Sequence, residues 1–464
     1  MNKRDMIGRT RWPEGLFDMP PRAGLINNVD KFDADYFGFT ESEAQSMNPL
    51  LRHMFEVCYE CVVDSGLPVE SLQNNTTGMY TACFLPGHDG LEISRWANSK
   101  YCTTVDQITG HVMRYLKLSG PMATVDTACS SALSALEMAV TDLQLGRCQY
   151  ALVAGCNLLL NPSYIQMMMK LGMLNPTGQS NVFDADAGGY VRAEGIVAIL
   201  LTRQERLCKR IYASVVDIIT GCDGFKEEGI TFPSAKSQTE MIKMLYKRAG
   251  VDVNNVAYME AHSTGTKAGD PVEVSAIAES LCKERTEPLL VGSVKANMGH
   301  SEATAALASL MKCLLAARHG VIPPQINYNT TNPKLTSVAE GKVVIVNKPT
   351  KLPDGYIGLN SFGFGGANGH LILKPHVQSS KKEDIYPMVV PVTARTDKEL
   401  ANISSFVRQN FQNSSQLALL ADSVLSHDCN RPIRGFFVTD PKRKGRENNK
   451  SKFYSIHDEI TGKW

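Results

Sequence analysis

The sequence lacks the long apolar runs that a bilayer demands. Stretches such as Ile196 to Leu201 are far too short to span one. It also lacks a secretory leader: the opening MNKRDMIGRTRW is charged and has no apolar centre. Charge of one sign is missing too, with Lys+Arg 48 against Asp+Glu 47, so no overall field recruits nucleic acid or an anionic membrane. The basic run Lys442, Arg443, Lys444, Arg446 sits among Pro, Gly and Asn and reads as a solvated loop. Cysteine is present, 12 in all, but without the repeated spacing of a disulfide framework or a zinc site. Cys58 and Cys61 form a lone CxxC inside a helical pattern and read as two small core residues. These absences predict a reduced, cytoplasmic protein with no membrane or nucleic-acid partner.

What is present is ordinary globular material: 43% hydrophobic residues, Gly 36 and Pro 22 in 464 residues, enough for one large domain and something smaller. Short β-prone runs alternate with helical periodicity from about Phe32 to Lys374. The expected strands are Gly78–Cys83, Tyr150–Cys156, Gly195–Leu201, Ile211–Gly221, Val256–His262, Leu289–Val294, Ile357–Ser361 and His370–Leu373. The expected helices are Glu41–Ser65, Ser130–Leu145, Lys236–Ala249, Pro271–Cys282 and Glu302–His319. Such alternation predicts parallel sheet covered by helices. After Pro375 the polar stretch 376–384 marks a boundary. Beyond it the pattern predicts a small α+β unit: strand Met388–Thr393, helices Lys398–Phe411 and Gln416–Leu425, strand Arg434–Val438, then a polar tail without a period.

Four segments can carry chemistry. In Val125-Asp126-Thr127-Ala128-Cys129-Ser130-Ser131 a β-prone run reaches a thiol immediately before a helix with apolar Leu133, Leu136, Val140 and Leu143. A helix N-terminus favours the reactive thiolate and offers unpaired N–H groups to an oxyanion. In Glu260-Ala261-His262-Ser263-Thr264-Gly265-Thr266 a histidine falls where a strand gives way to a loop, the place where ligand chemistry collects in parallel sheets. Asp270, Pro271 and Glu273 follow as a helix start. Lys295-Ala296-Asn297-Met298-Gly299-His300 repeats that design with a second histidine and a lysine. Asn360-Ser361-Phe362-Gly363-Phe364-Gly365-Gly366 lets backbone amides approach a ligand, yet does not fit GxGxxG, so no dinucleotide site is implied. Taken singly, each segment is compatible with a structural role; together they point to one nucleophilic site.

The segments TACSSAL, EAHSTGT, VKANMGH and NSFGFGG resemble the active-site motifs of β-ketoacyl synthases. WPEGLFDMPPRAG, FDADAGGYVRAEG and Cys222-Asp223-Gly224-Phe225-Lys226-Glu227-Glu228-Gly229 are similar to animal type I fatty acid synthases and their polyketide synthase relatives. The resemblance covers residues 10–375, and 385–440 looks like the linker between ketosynthase and acyltransferase. It implies an α/β thiolase-like fold, two related halves in a five-layered α/β/α/β/α sandwich. It further implies a ketosynthase domain at 1–375, a linker at 376–384 and a truncated α+β linker region at 385–464.

Carried over by motif, Cys129 would take the acyl chain. His262 and His300 would stabilise the enolate of a decarboxylating malonyl group borne on phosphopantetheine of an acyl carrier protein. Lys295 would keep the imidazoles neutral, and the N–H groups of Cys129 and Phe364 would hold the oxyanion, with Phe364 also gating the site. Asp270 and Glu302 read as structural. Thiolases use one His and a second Cys, and the chalcone-synthase branch uses Cys, His and Asn; two histidines point to the decarboxylating class. No cofactor or metal belongs to this segment, NADPH serving other domains of a parent synthase. A homodimer is implied through the strand around Tyr150–Cys156.

The sequence departs from the family pattern at Asn48, where Asp is usual, at Ser263, where Gly is usual, and at Gly369, where a larger residue is common. The family's first strand would fall before Met1, and its loss from the centre of the sheet would leave unpaired backbone. The expectation is therefore an N-terminally incomplete fragment of a megasynthase. Two rival readings are a catalytically impaired dimerisation or scaffold module, and an acyltransferase using no malonyl donor.

Overall fold

Two β-sheets with helices between and outside them place the four motif segments. They are seen in a computed structural model that describes residues 7–9, 11–13, 15–84, 107–204, 210–376, 388–410, 417–418, 420–421, 424, 431–439 and 452–455. The chain divides into two compact units: 1–59 with 75–203 and 211–377, and 60–74 with 204–210 and 378–464.

The larger unit holds the first sheet, made of β1 (Thr77–Cys83), β2 (Met122–Val125), β3 (Tyr150–Asn157) and β4 (Gly195–Thr202) in the order β2-β1-β3-β4. The second sheet contains β5 (Ala213–Cys222), β6 (Val256–Glu260), β7 (Leu289–Gly292), β8 (Val343–Ile345), β9 (Tyr356–Phe362) and β10 (Ala367–Pro375), ordered β8-β7-β6-β9-β10-β5. The pairs β2-β1 and β1-β3 are parallel and β3-β4 is antiparallel. The run β7-β6-β9-β10 repeats that pattern. The two halves of the larger unit are thus built alike. The sheets are mixed rather than parallel throughout, a correction to the sequence expectation: β10 returns from β9 across the tight turn 363–366, which reverses strand direction, and β4 runs antiparallel to β3 after a longer connection.

Between the sheets lie α2 (Ser131–Gln144) and α5 (Ala305–His319). Helix α2 packs on β1, β2 and β3 and on β5 and β10, while α5 packs on β4 and β9. A helix covered on both sides must be apolar around much of its girth and slim enough to admit both sheets. Ala132, Ala135, Ala139, Ala305, Ala306, Ala308 and Ala316 meet that need. Outside the first sheet α1 (Ile108–Leu116) packs on β1 and β2; outside the second, α3 (Ala235–Ala249) packs on β5, β10 and α4 (Gly269–Leu281). Five layers result. Helix α3 carries its own signals, Ser234 accepting from the Ser237 N–H at one end and Gly250 at φ 63° closing the other.

Several sequence expectations change. Strands β6 and β7 stop at Glu260 and Gly292, which leaves His262 and Val294 outside the strands expected to hold them. The helix expected over Glu41–Ser65 is broken into Glu41–Ser46 and Pro49–Ser65. Asn48 starts the second piece by accepting the Leu50 N–H at 2.9 Å, a capping role in which Asn serves as well as Asp. Cys58 and Cys61 both lie on this second helix, and neither is in a disulfide.

The first sheet has no central gap, because β1 and β3 pair directly from Thr77↔Tyr150 to Cys83↔Cys156. Strand β3, paired on both sides and buried throughout, has no free edge to offer a second subunit. Among the described residues the edges of this sheet are β2 and β4.

In the smaller unit, β11 (Met388–Ala394), β12 (Ile433–Thr439) and β13 (Lys452–Ser455) form an antiparallel sheet with α6 (Asp397–Gln409). Val390, Val392, Val407 and Phe437 are its buried core. Strand β13 falls in the tail whose sequence shows no period; its pairing with β12, rather than its own pattern, makes it a strand. The helix expected over 416–425 lies partly outside the described residues. The boundary segment lies outside them from 377 to 384, as does the basic loop 442–446.

Gly369 is explained by packing. A Cβ there would stand 2.9 Å from both Cβ and Cδ1 of Leu133, so β10 approaches α2 only because the side chain is absent. Gly369→Val is expected to cost about 1–3 kcal/mol by overpacking, read as a lowered midpoint in urea denaturation.

Candidate active site

Strand β2 ends at Val125, α2 begins at Ser131, and the turn between them presents the thiol. Ala128 takes φ 55°, a left-handed conformation costly for a residue with a Cβ. Neighbouring hydroxyls fix it. Ser131 Oγ donates to the Ala128 carbonyl and accepts the Thr127 N–H at 2.8 Å, Asp126 accepts the Ala128 N–H at 2.9 Å, and Ser361 Oγ donates to the Cys129 carbonyl at 2.7 Å. The serines and threonine around Cys129 therefore build the elbow that aims its sulfur.

The two histidine loops are held by buried carboxylates. Glu273 accepts the N–H groups of His262 and Ser263 at 2.7 and 2.6 Å, the Ser263 hydroxyl at 2.7 Å and the Asn360 amide at 2.8 Å. Asp270 accepts the N–H groups of Phe183, Thr264 and Gly265. Both acids point back into the loop rather than cap helix α4, whose first residue, Gly269, donates to Thr266 Oγ1 at 3.2 Å. Ser263 is absent from the positive-φ residues, so it fits without strain and adds a bond that glycine cannot make.

His300 rests on the segment Tyr190–Glu194. Its N–H donates to the Val191 carbonyl at 2.7 Å, and its own carbonyl accepts from Ala193 at 2.8 Å. Arg192 Nε donates to Glu302 at 3.0 Å, and the Tyr190 ring stands edge-on to the imidazole at 5.0 Å. This FDADAGGYVRAEG platform gave no chemical signal in the sequence, because a buried ion pair and a solvated one read alike. Glu302 is structural in part, yet its carboxylate reaches within 4.0 Å of His300 Nε2.

The side chains converge. His300 Nε2 lies 2.9 Å from Cys129 Sγ, and the sulfur and one nitrogen of each histidine all fall within 4.8 Å of one another. The imidazole centroids are 5.5 Å apart. Cys129, His262, His300 and Phe364 line one cavity of about 340 Å³, with Ile230 and Phe232 near its walls. Lys295 is buried and does not line it, so its influence is by field alone. A Cβ on Gly363 would meet the Thr127 carbonyl at 2.5 Å, which is how the glycine turn brings Phe364 beside the elbow. The backbone N–H groups of Phe364 and Cys129 both face the sulfur.

Burial dominates the electrostatics. It pushes the Cys129 thiol up to about 12, helped by the Glu302 carboxylate and opposed by the two N–H groups and Lys295. Burial thus opposes the helix-terminus preference for thiolate and favours the thiol. Burial first, and Lys295 second, hold both histidines well below the usual imidazole range, so both are neutral. Among the described residues neither Nδ1 has a hydrogen-bond partner, unlike metal-bound histidines, whose second nitrogen is anchored. The cluster matches a nucleophile with two neutral N–H donors better than a metal centre.

Comparisons with known proteins agree with this geometry. The family model "Beta-ketoacyl synthase, N-terminal domain" matches residues 9–206, the corresponding C-terminal domain 212–329, and the "Ketoacyl-synthetase C-terminal extension" 331–438. Fatty acid synthase of Anser anser anser is 39% identical over 336 residues, covering 69% of this chain and 93% of that sequence. A highly reducing polyketide synthase of Hypocrea virens is 38% identical over 361 residues, 75% of this chain but 15% of its own length. A phenolphthiocerol/phthiocerol polyketide synthase of Mycobacterium tuberculosis is 36% identical over 428 residues, 88% and 23% respectively. The chain thus spans only a fraction of the polyketide synthases it matches.

Among solved structures, an oxazolomycin ketosynthase domain of Streptomyces albus JA3453 superposes with TM-score 0.84 at 25% identity, covering 94% of this chain and 81% of that one. The ketosynthase from module 1 of the bacillaene synthase of Bacillus amyloliquefaciens FZB42 gives 0.81 at 28%, covering 94% and 80%. With its paired halves, its thiol elbow and its two imidazoles, the chain belongs to the β-ketoacyl synthase family of acyltransferases and has the thiolase-like fold.

Proposed function

We propose that this chain catalyses decarboxylative Claisen condensation between an acyl group on Cys129 and a malonyl group carried on the phosphopantetheine of an acyl carrier protein, in fatty acid or polyketide synthesis. The observation that carries the reading is the convergence of one sulfur and two neutral imidazoles within 4.8 Å.

In the first half-reaction Cys129 sulfur attacks the acyl thioester carbonyl. The S–C bond to the enzyme forms, the bond to the carrier sulfur breaks, and the thiol proton passes by His300 Nε2 to the departing carrier thiolate. The carbonyl oxygen, negative in transit, sits between the N–H groups of Cys129 and Phe364. Each such donor is worth about 3 kcal/mol of barrier. In the second half-reaction the malonyl C–C bond breaks to release CO2, and the enolate oxygen receives hydrogen bonds from His262 and His300. The new carbon–carbon bond then forms at the acyl carbonyl, and Cys129 leaves as thiolate and takes a proton from solvent. No described residue pairs with either Nδ1, so His300 Nε2 can accept in one half-reaction and donate in the other. Lys295 keeps imidazolium disfavoured, and Phe364, 36% exposed at the cavity, is placed to gate entry.

No cofactor serves these steps; reduction belongs to other parts of a parent synthase. We assign residues 1–375 to the ketosynthase domain, 376–384 to a linker and 385–464 to the region that leads toward an acyltransferase. The acyl carrier protein is the partner, and a homodimer forms through β2, an edge of its sheet among the described residues, whose Met122 is exposed. Among the described residues no helix is long and apolar enough to cross a membrane, and we place the protein in the cytoplasm. The scaffold reading gains no support, since a module without chemistry has no need of a strained elbow and two desolvated histidines.

Two outcomes are expected. Cys129→Ala abolishes acylation by an acyl thioester, whereas His300→Ala, left with the more distant His262 to relay the thiol proton, acylates more slowly but still goes to completion and releases little CO2 from malonyl-carrier protein; mass spectrometry of the acyl-enzyme and CO2 trapping read the two steps separately. A Cys129 alkylation rate that climbs with pH from about 6 to 10, without a plateau near the ordinary thiol value of 9.0, follows from burial holding the thiol at about 12.

A further inference from the structure

Three ionisable side chains form a second buried cluster behind the site. Glu260 and Tyr258 come from β6 and Lys312 from α5. Lys312 Nζ lies 2.7 Å from Glu260 Oε2 and donates to the Tyr258 hydroxyl at 2.8 Å; that hydroxyl donates to the same carboxylate oxygen at 2.6 Å. Glu260 and Tyr258 are fully buried and Lys312 nearly so. The other carboxylate oxygen, Oε1, accepts the Val294 N–H at 2.7 Å, at the start of the Lys295–Met298 turn that leads to His300. Glu260 itself stands two residues before His262.

One carboxylate therefore ties the two histidine loops together. Beside it Ser293 Oγ donates to the Ser263 carbonyl at 2.8 Å, a second stitch between the same loops. Gly292, the last residue of β7, has no room for a side chain: a Cβ would meet the Tyr258 hydroxyl at 2.6 Å and Lys312 Nζ at 3.3 Å. The cluster presses on the backbone that feeds Lys295 and His300. A buried carboxylate is held in place by the partners that meet its charge. Lys312 meets it from a helix that the reaction does not otherwise use.

We infer that Lys312, acting through Glu260 and Tyr258, is a positioning residue that sets the spacing of the His262 and His300 loops, and so governs enolate formation while leaving Cys129 acylation alone. The inference rests on the condensing activity proposed above. Acylation needs the elbow, the oxyanion donors and one imidazole. Decarboxylation needs both imidazoles aimed at one oxygen, and small misplacements are costly there.

The test compares wild type, Lys312→Met, Lys312→Arg and Tyr258→Phe in the full chain. It uses an acyl thioester of N-acetylcysteamine for acylation and malonyl-carrier protein for CO2 release. Lys312→Met is expected to slow CO2 release about 10- to 100-fold with acylation within about 2-fold, Tyr258→Phe to do the same more weakly, and Lys312→Arg to recover most of the loss. Equal losses in both half-reactions, no loss in either, or failure of arginine to rescue overturns the inference. Should Lys312→Met not fold, the split between half-reactions in Tyr258→Phe decides. A wild-type protein that neither acylates nor decarboxylates overturns the condensing activity itself; an active wild type with indifferent variants overturns only the role of Lys312.

Discussion

The structure turns on the desolvation of one small cavity. Cys129 and His300 are taken from water and His262 is partly so, and each responds by holding its neutral form, the thiol pushed up and the imidazoles pushed down. Neutral groups 2.9 Å apart can exchange a proton without separating full charges beforehand. The same desolvation strengthens every dipole aimed into the cavity, which gives weight to the two backbone N–H groups facing the sulfur.

Such a cavity tolerates charge nearby only when that charge is matched. Lys295 is buried between Glu260 and Glu273, both of which favour its cation against the cost of burial. Lys312 answers Glu260, and Arg192 answers Glu302. Every one of these acids also accepts hydrogen bonds from the loops that deliver catalytic groups or from the platform beneath them. Irregular backbone buried in a core must have its N–H groups satisfied, and here carboxylates do so where strand and helix ladders end. The charges fix the shape of the site as much as its potential.

The two halves divide the labour. The first sheet, through β2 and α2, presents the nucleophile, while the second, through the ends of β6 and β7, presents the histidines. Helices α2 and α5, slim and apolar, let the sheets stand close enough for loops from both to meet. Gly369 against Leu133 and Gly363 against the Thr127 carbonyl show how little space is left.

The sequence by itself determined the main strands and helices around the site and the four loops at their ends. Local periodicity, the Ser130–Ser131 helix start and the glycine turns are properties of neighbouring residues, and neighbours are what a sequence displays. Tertiary structure alone decided the rest. It made β4 and β10 antiparallel, gave β3 two partners and so no free edge, and turned the tail at Lys452–Ser455 into a strand. It set Asp270 and Glu273 to hold the His262 loop instead of capping α4, and it buried the thiol, which pushes it up. Strand pairing, desolvation and ion pairing depend on which distant segments share a volume: Cys129 and His300 are 171 positions apart in the chain and 2.9 Å apart in space.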